Sequence, residues 1–207
     1  MQLAAALQGA AAFGALYEHV ARSRLQEKDG SAQALAAAEI AVQLAPWSAA
    51  AWTDLGWAHA RRQDRSGALR AADAAIRVSP ADAYRWQERA ELLAAFQDFG
   101  PEYERSLSRA YERGPHWAVL QRQNALTGAR AWRWGSPRTQ AIWRAGQQYN
   151  LRWRPDAFRR ELVRAGLDDR FCATTGTALG QQEWCERAAR VRNCCGGKIA
   201  PDVLDWC

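Results

Sequence analysis

The sequence predicts an all-α protein, a right-handed stack of antiparallel helix pairs closed at its C-terminal end by two or three irregular helices. Three observations carry that expectation. Pro46, Pro80 and Pro115 recur at intervals of 34 and 35 residues, the period of a helix–turn–helix unit that stacks on copies of itself. Alanine is abundant, and it favours helix because it loses no side-chain entropy on entering one. No stretch of useful length alternates apolar and polar residues as a half-buried strand does.

With 207 residues, 48% hydrophobic and 24% charged, the chain can bury a real core and has the balance of a folded protein. Residues Met1 to Tyr17 carry no charge. Their Ala-rich run is too short and too weakly apolar for a membrane span, and no basic leading region precedes it as a secretory signal requires. Residues 1–30 are therefore expected to be a packed first helix, or the remainder of a signal anchor that would tether the chain to a membrane.

The repeats follow. Twelve, eight and five residues before the three prolines stand Ala34, Ala38 and Ala41, then Ala68, Ala72 and Ala75, then Tyr103, Leu107 and Ala110. Offsets of four and three place each trio on one helix face. Each proline ends its helix, lacking the N–H and pushing the preceding residue out of the α region. Another helix starts beyond, and Trp52 and Trp86 each lie six residues after their proline. Ser48, Asp64, Asp82 and Ser136 stand where N-caps are needed, with Pro137 in the first turn that follows Ser136.

Trp52, Leu55, Gly56, His59, Ala68, Ala72, Ala75 and Pro80 fall in the spacing of the tetratricopeptide repeat signature, with His59 in place of the usual aromatic. The segment from Ala49 to Asp82 closely resembles one such repeat. Residues 83–117 resemble it more loosely, with one residue inserted near Gly100-Pro101. The resemblance implies that Gly56 and Ala68 let paired helices approach while Trp52 fills the space between them. It also implies a concave groove lined by Ala50, Thr53, Trp57 and Arg61 from one repeat and Tyr84, Gln87 and Glu91 from the next. Such a surface suits an extended peptide or a partner helix.

Beyond Pro115 the prolines lose their interval, yet helices are expected at about 117–132, 137–149 and 155–165. This part is basic: from Gln121 to Arg170 eleven arginines face four carboxylates, a net +7 of the chain's +6. Lys28 and Lys198 are the only lysines. Arg130, Arg133, Arg144, Arg152, Arg154 and Arg159 are interleaved with Trp132, Trp134, Trp143 and Trp153. This arrangement could hold an anionic polymer, guanidinium groups pairing with acidic groups and indoles stacking on ring faces. The alternative is that the aromatics pack inward and the arginines are solvated.

All five cysteines, Cys172, Cys185, Cys194, Cys195 and Cys207, lie in the last 36 residues, in the pattern C-x12-C-x8-CC-x11-C. No histidine is near and no paired C-x-x-C occurs, so disulfides are favoured over metal, with buried thiols as the remaining alternative. Disulfides require an oxidising compartment. His19, His59 and His116 lack spaced ligand partners, and there is no phosphate-binding glycine loop or nucleophile elbow. No catalytic residue, metal or cofactor is assigned.

A second resemblance rests on Gly114-Pro115, Leu120-Gln121, Ala125-Leu126, Ala131-Trp132, Ala165-Gly166-Leu167 and Phe171-Cys172. With the repeats, these residues resemble the tetratricopeptide proteins that accompany bacterial exopolysaccharide assembly, the VpsP-like group. That resemblance implies a non-catalytic protein-binding subunit of an envelope polysaccharide synthesis or export system, periplasmic or at the inner membrane facing the periplasm, with the cytoplasm as the alternative. The second function class is a direct binder of anionic polymer, polysaccharide being favoured over nucleic acid. The expected organisation is an N-terminal helix over 1–30, repeats over 31–117, Arg/Trp-rich helices over 118–171 and a Cys-rich tail over 172–207.

Overall fold

A computed structural model describes residues 14–21, 23 and 31–194, and all regular structure among them is helical. The chain divides into two compact units at Gly114/Pro115. That is three residues before the boundary expected from the repeats.

In the first unit residues 14–21 are helical. They are followed by α1 (Ser31–Leu44), α2 (Ala49–Arg61), α3 (Arg65–Val78), α4 (Ala83–Ala95) and α5 (Pro101–Arg113). Ser48, Asp64 and Asp82 each accept a backbone N–H from the first turn of the next helix, as their positions predict. Pro101 sits in the first turn of α5, where its missing N–H costs nothing. All nine residues of the three trios are at most 3% exposed. The core they form is mostly alanine, so neighbouring helices lie close: a Cβ on Gly56 would stand 3.3 Å from the carbonyl oxygen of Ala68 on α3.

Two local devices recur with the sequence period. Trp52 Nε1 donates to the carbonyl of Pro46 at 2.8 Å, and Trp86 Nε1 donates to that of Pro80 at 3.0 Å. The turns inside the α2–α3 and α4–α5 pairs pass through Gln63 and Gln97, both with positive φ. The flanking bonds match 34 residues apart. Asp64 N–H bonds to His59 and Gln63 N–H to Ala60, while Asp98 N–H bonds to Leu93 and Gln97 N–H to Ala94. Each helix thus ends in a Schellman turn that closes orphan carbonyls, with glutamine in the left-handed position usually held by glycine. Arg89 on α4 reaches both neighbours, bonding Asp73 on α3 and Ser106 on α5.

The second unit contains α6 (Ala118–Ala131), a 3-10 turn (Trp132–Trp134), α7 (Pro137–Trp153), α8 (Pro155–Arg164), α9 (Asp168–Phe171), a π turn (Cys172–Gly176), a second 3-10 turn (Thr177–Leu179) and α10 (Gln182–Cys194). Ser136 caps α7 through Thr139 N–H. At the position that tryptophan holds in the first unit, six residues after a proline, Gln121 Nε2 donates to the Pro115 carbonyl. α6 and α7 pack antiparallel: Asn150 Nδ2 donates to the Gln121 carbonyl at 3.0 Å, and Trp143 is wholly buried where α7 faces Gly128. α8 ends at Gly166, whose φ of +61° places the chain in the left-handed region that glycine enters without strain.

The segment expected as a tail from Cys172 is structured as far as Cys194. Trp184 is buried and packs edge-on against Phe171, which itself meets Phe158 edge-on. Leu162, Val163 and Leu167 complete this core. Cys172 and Cys185 form a disulfide with an Sγ–Sγ distance of 2.04 Å, while Cys195 and Cys207 lie outside the described residues. With 13 residues of separation, chain-entropy arguments assign this closure about 3 kcal/mol. Cys185→Ser should therefore lower the urea-unfolding free energy by about that amount in oxidised protein and make dithiothreitol almost without further effect. A variant as stable as oxidised wild type would contradict this.

Among the described residues no helix is long and apolar enough to cross a membrane. The uncharged N-terminal run lies outside them over residues 1–13.

Candidate functional sites

One candidate face belongs to the first unit. It is built by α2 and α4, the first helices of consecutive pairs, and the sequence-predicted groove residues all lie on these two. Thr53 Oγ1 accepts from Arg85 Nη1 at 2.7 Å, and Trp57 Nε1 donates to Glu88 Oε2 at 2.5 Å. Gln87 Nε2 donates to Glu91 Oε1 at 2.9 Å. Thr53 and Gln87 are buried. Of the predicted set, Trp57, Tyr84 and Glu91 are half-buried and Arg61 is exposed; Ala50 is half-buried beside them.

Sequence reasoning missed Arg85 and Glu88, which hold this face together. Arg85 also pairs with Asp82 at 3.1 Å and lies over the Tyr84 ring at 5.2 Å. Burial pushes the Glu88 carboxyl above the ordinary glutamate range, opposed by hydrogen bonds from Trp57 and Tyr84 and by the charge of Arg85. A carboxylate largely removed from water, with aromatic N–H and O–H donors on it, makes a rigid polar seam between two helices. The one available signal was that Tyr84 and Glu88 share a helix face at a spacing of four.

The second candidate lies in the second unit. Of the six predicted arginines, Arg154 bonds Glu161 at 2.5 Å and Arg159 bonds Gln181 at 2.5 and 3.1 Å. These two are committed to internal contacts. Arg144 stacks over Trp132 at 5.4 Å and Arg152 over Trp153 at 5.1 Å. Arg144 and Arg152 stand eight residues apart on α7, about 12 Å along its axis. Arg130 and Arg133 converge on a cavity of about 220 Å³ with Trp132, Trp134, Ala129, Ala173, Thr174 and a third arginine, Arg170, that the sequence did not single out. The six arginines are thus not one continuous strip, and only two of them enter this pocket. A larger hollow of about 730 Å³ beside α10 is lined by both signs of charge, Arg159 and Arg187 with Glu183 and Glu186.

His59 Nδ1 lies 2.9 Å from Asp64 Oδ2 beside the α2–α3 turn, and His19 and His116 are exposed. No group of three or more metal-ligating side chains occurs among the described residues.

No protein-family model matches this chain, and no curated protein matches it either. What stands is the class defined by the fold and its two surfaces: an all-helical protein of two units, one carrying an aromatic and polar helix face and the other an arginine–tryptophan pocket.

Proposed function

We propose that the chain is a non-catalytic interaction protein of the tetratricopeptide kind, whose α2–α4 face receives a peptide or helix of a partner protein. The observation that carries the reading is the pairing of Trp57 with Glu88 and Thr53 with Arg85 across two first helices. That pairing ties α2 to α4 and orders Trp57 beside Glu88; in this reading Arg61, Tyr84 and Glu91 flank it. Matching tryptophan-to-proline bonds and matching glutamine turns at the 34-residue period support assigning α2–α3 and α4–α5 to one kind of repeat. An ordered aromatic flanked by charges of both signs suits a partner segment that brings an apolar residue and its own charges. In this reading the partner belongs to a bacterial envelope polysaccharide synthesis or export system, with the protein facing the periplasm. The disulfide is compatible with such an oxidising compartment.

The test is site-specific photocrosslinking in cells that carry the protein at its native level. A benzoylphenylalanine at position 61 or 91 should capture the same protein, and one at position 109, exposed on α5, should not. Equal capture from all three positions, or none from 61 and 91, would remove the groove as the working surface.

A further inference from the structure

The pocket of the second unit has no part in the reading just given, and its composition points to a ligand of its own. Three guanidinium groups enter it from three elements: Arg130 from the end of α6, Arg133 from the 3-10 turn and Arg170 from α9. All three side chains are exposed, and no carboxylate lines the cavity. Other arginines of this unit are engaged elsewhere, Arg122 and Arg154 on Glu161 and Arg159 on Gln181. Three guanidinium groups on one cavity that no carboxylate lines form a surface that attracts an anion.

Arg133 lies over the Trp134 ring at 4.3 Å. Stacking uses the guanidinium face and leaves the in-plane N–H groups free to grip a planar anion at two points. The cavity, about 220 Å³, is below the range of about 300–1,000 Å³ typical of drug-sized ligands. One ring with its substituents is the scale it fits.

The remaining wall says what kind of ring. Trp132 and Trp134 present apolar surface, and Trp134 is 46% exposed. Thr174 Oγ1 gives its proton to the Arg170 carbonyl at 2.7 Å, so toward the cavity its oxygen has only lone pairs to offer. A ligand hydroxyl can donate to it. A fully ionised phosphate or sulfate has none, whereas a pyranose bearing a carboxylate supplies the anion, hydroxyl donors and a C–H face to lie on indole.

We infer that Arg130, Arg133 and Arg170, with Trp132, Trp134 and Thr174, form a binding site for an acidic sugar, a carboxylate-bearing pyranose taken free or as one unit of a chain.

The full-length protein should be titrated calorimetrically with galacturonate, trigalacturonate, neutral maltotriose, adenosine monophosphate and sulfate. Indole N–H resonances should be followed by NMR, with Trp132→Phe and Trp134→Phe supplying assignments. Binding of trigalacturonate that shifts the Trp132 and Trp134 signals supports the site; galacturonate binding as strongly identifies the free acid as sufficient, and weaker binding by the monomer identifies a chain unit. Arg170→Ala and Arg130→Ala should each weaken binding about tenfold, the loss of one charge-assisted contact. Their thermal unfolding should stay unchanged, since both side chains are exposed. Arg187→Ala, in the other hollow, should bind as wild type does. The proposal is overturned if neither acidic sugar binds, if maltotriose binds equally, if adenosine monophosphate or sulfate binds in preference, or if both arginine variants keep wild-type affinity.

Discussion

Trp143→Ala should lower the unfolding free energy by roughly 3–5 kcal/mol, the range for deleting a large buried aromatic. The indole is wholly buried, and the structure around it is shaped to receive it. A Cβ on Gly128 would come within 2.6 Å of Trp143 Cβ, and one on Gly135 within 2.5 Å of its Cζ3. Two glycines on different elements leave the space that the ring fills, so neighbouring side chains cannot expand into the hole after truncation. Urea unfolding followed by circular dichroism measures the loss. Trp143→Phe, which keeps most of the volume, should cost clearly less. A loss below about 1 kcal/mol for alanine would mean the site collapses freely, contrary to its glycine lining.

That substitution also reaches the pocket. Trp132, one of its walls, lies 6.4 Å from Trp143 between ring centroids, and Arg144 covers Trp132 at 5.4 Å. Removing the support beneath Trp132 should therefore weaken acidic-sugar binding as well as the fold. Arg170→Ala should weaken binding alone, and that contrast separates a supporting tryptophan from a contacting arginine.

Features that depend on near neighbours were legible in the sequence. The N-caps Ser48, Asp64, Asp82 and Ser136 act within three residues, and the buried trios follow from helix geometry alone. What escaped depends on distant partners. Glu88 meets Trp57 across 31 positions, and nothing local distinguishes it from the solvated glutamates of other helices. The arginines were visible as a class, yet Arg154 and Arg159 differ from Arg130 and Arg133 only by having Glu161 or Gln181 within reach. Arg170 was passed over because no tryptophan stands next to it in the chain; Trp132 and Trp134 reach its pocket by folding. The cysteine pattern suggested a stapled tail, but the helical signal within that segment lies in other residues. Trp184 and Ala188, four apart and both buried, mark the inner face of α10.

Gly146→Ala should also be costly, and there two effects of opposite sign can be weighed. Alanine in place of a mid-helix glycine gains about 1 kcal/mol of helix propensity. Here the new Cβ would lie 2.7 Å from the Gln121 carbonyl oxygen and 3.0 Å from Ala125 N. Both are backbone atoms of α6, already held by their own helix, so relief requires the two helices to separate. Overpacking of this kind costs about 1–3 kcal/mol and occasionally more. Separation would further stretch the bonds from Asn150 to Gln121 and from Gln147 to the Ala125 carbonyl, leaving buried amides poorly paired. The net expectation is a loss of about 2 kcal/mol for alanine and more for valine. Gly56→Ala is the comparison: its closest contact is the flexible Leu92 Cδ1 at 3.2 Å, and its net cost should be smaller. Because α6 ends at the arginine pocket, a shift of that helix should also lower acidic-sugar affinity without any change in the pocket's own residues. A Gly146→Ala protein as stable as wild type would mean that parting α6 from α7 costs no more than helix propensity returns, about 1 kcal/mol, and the tight packing inferred at Gly146 would be refuted.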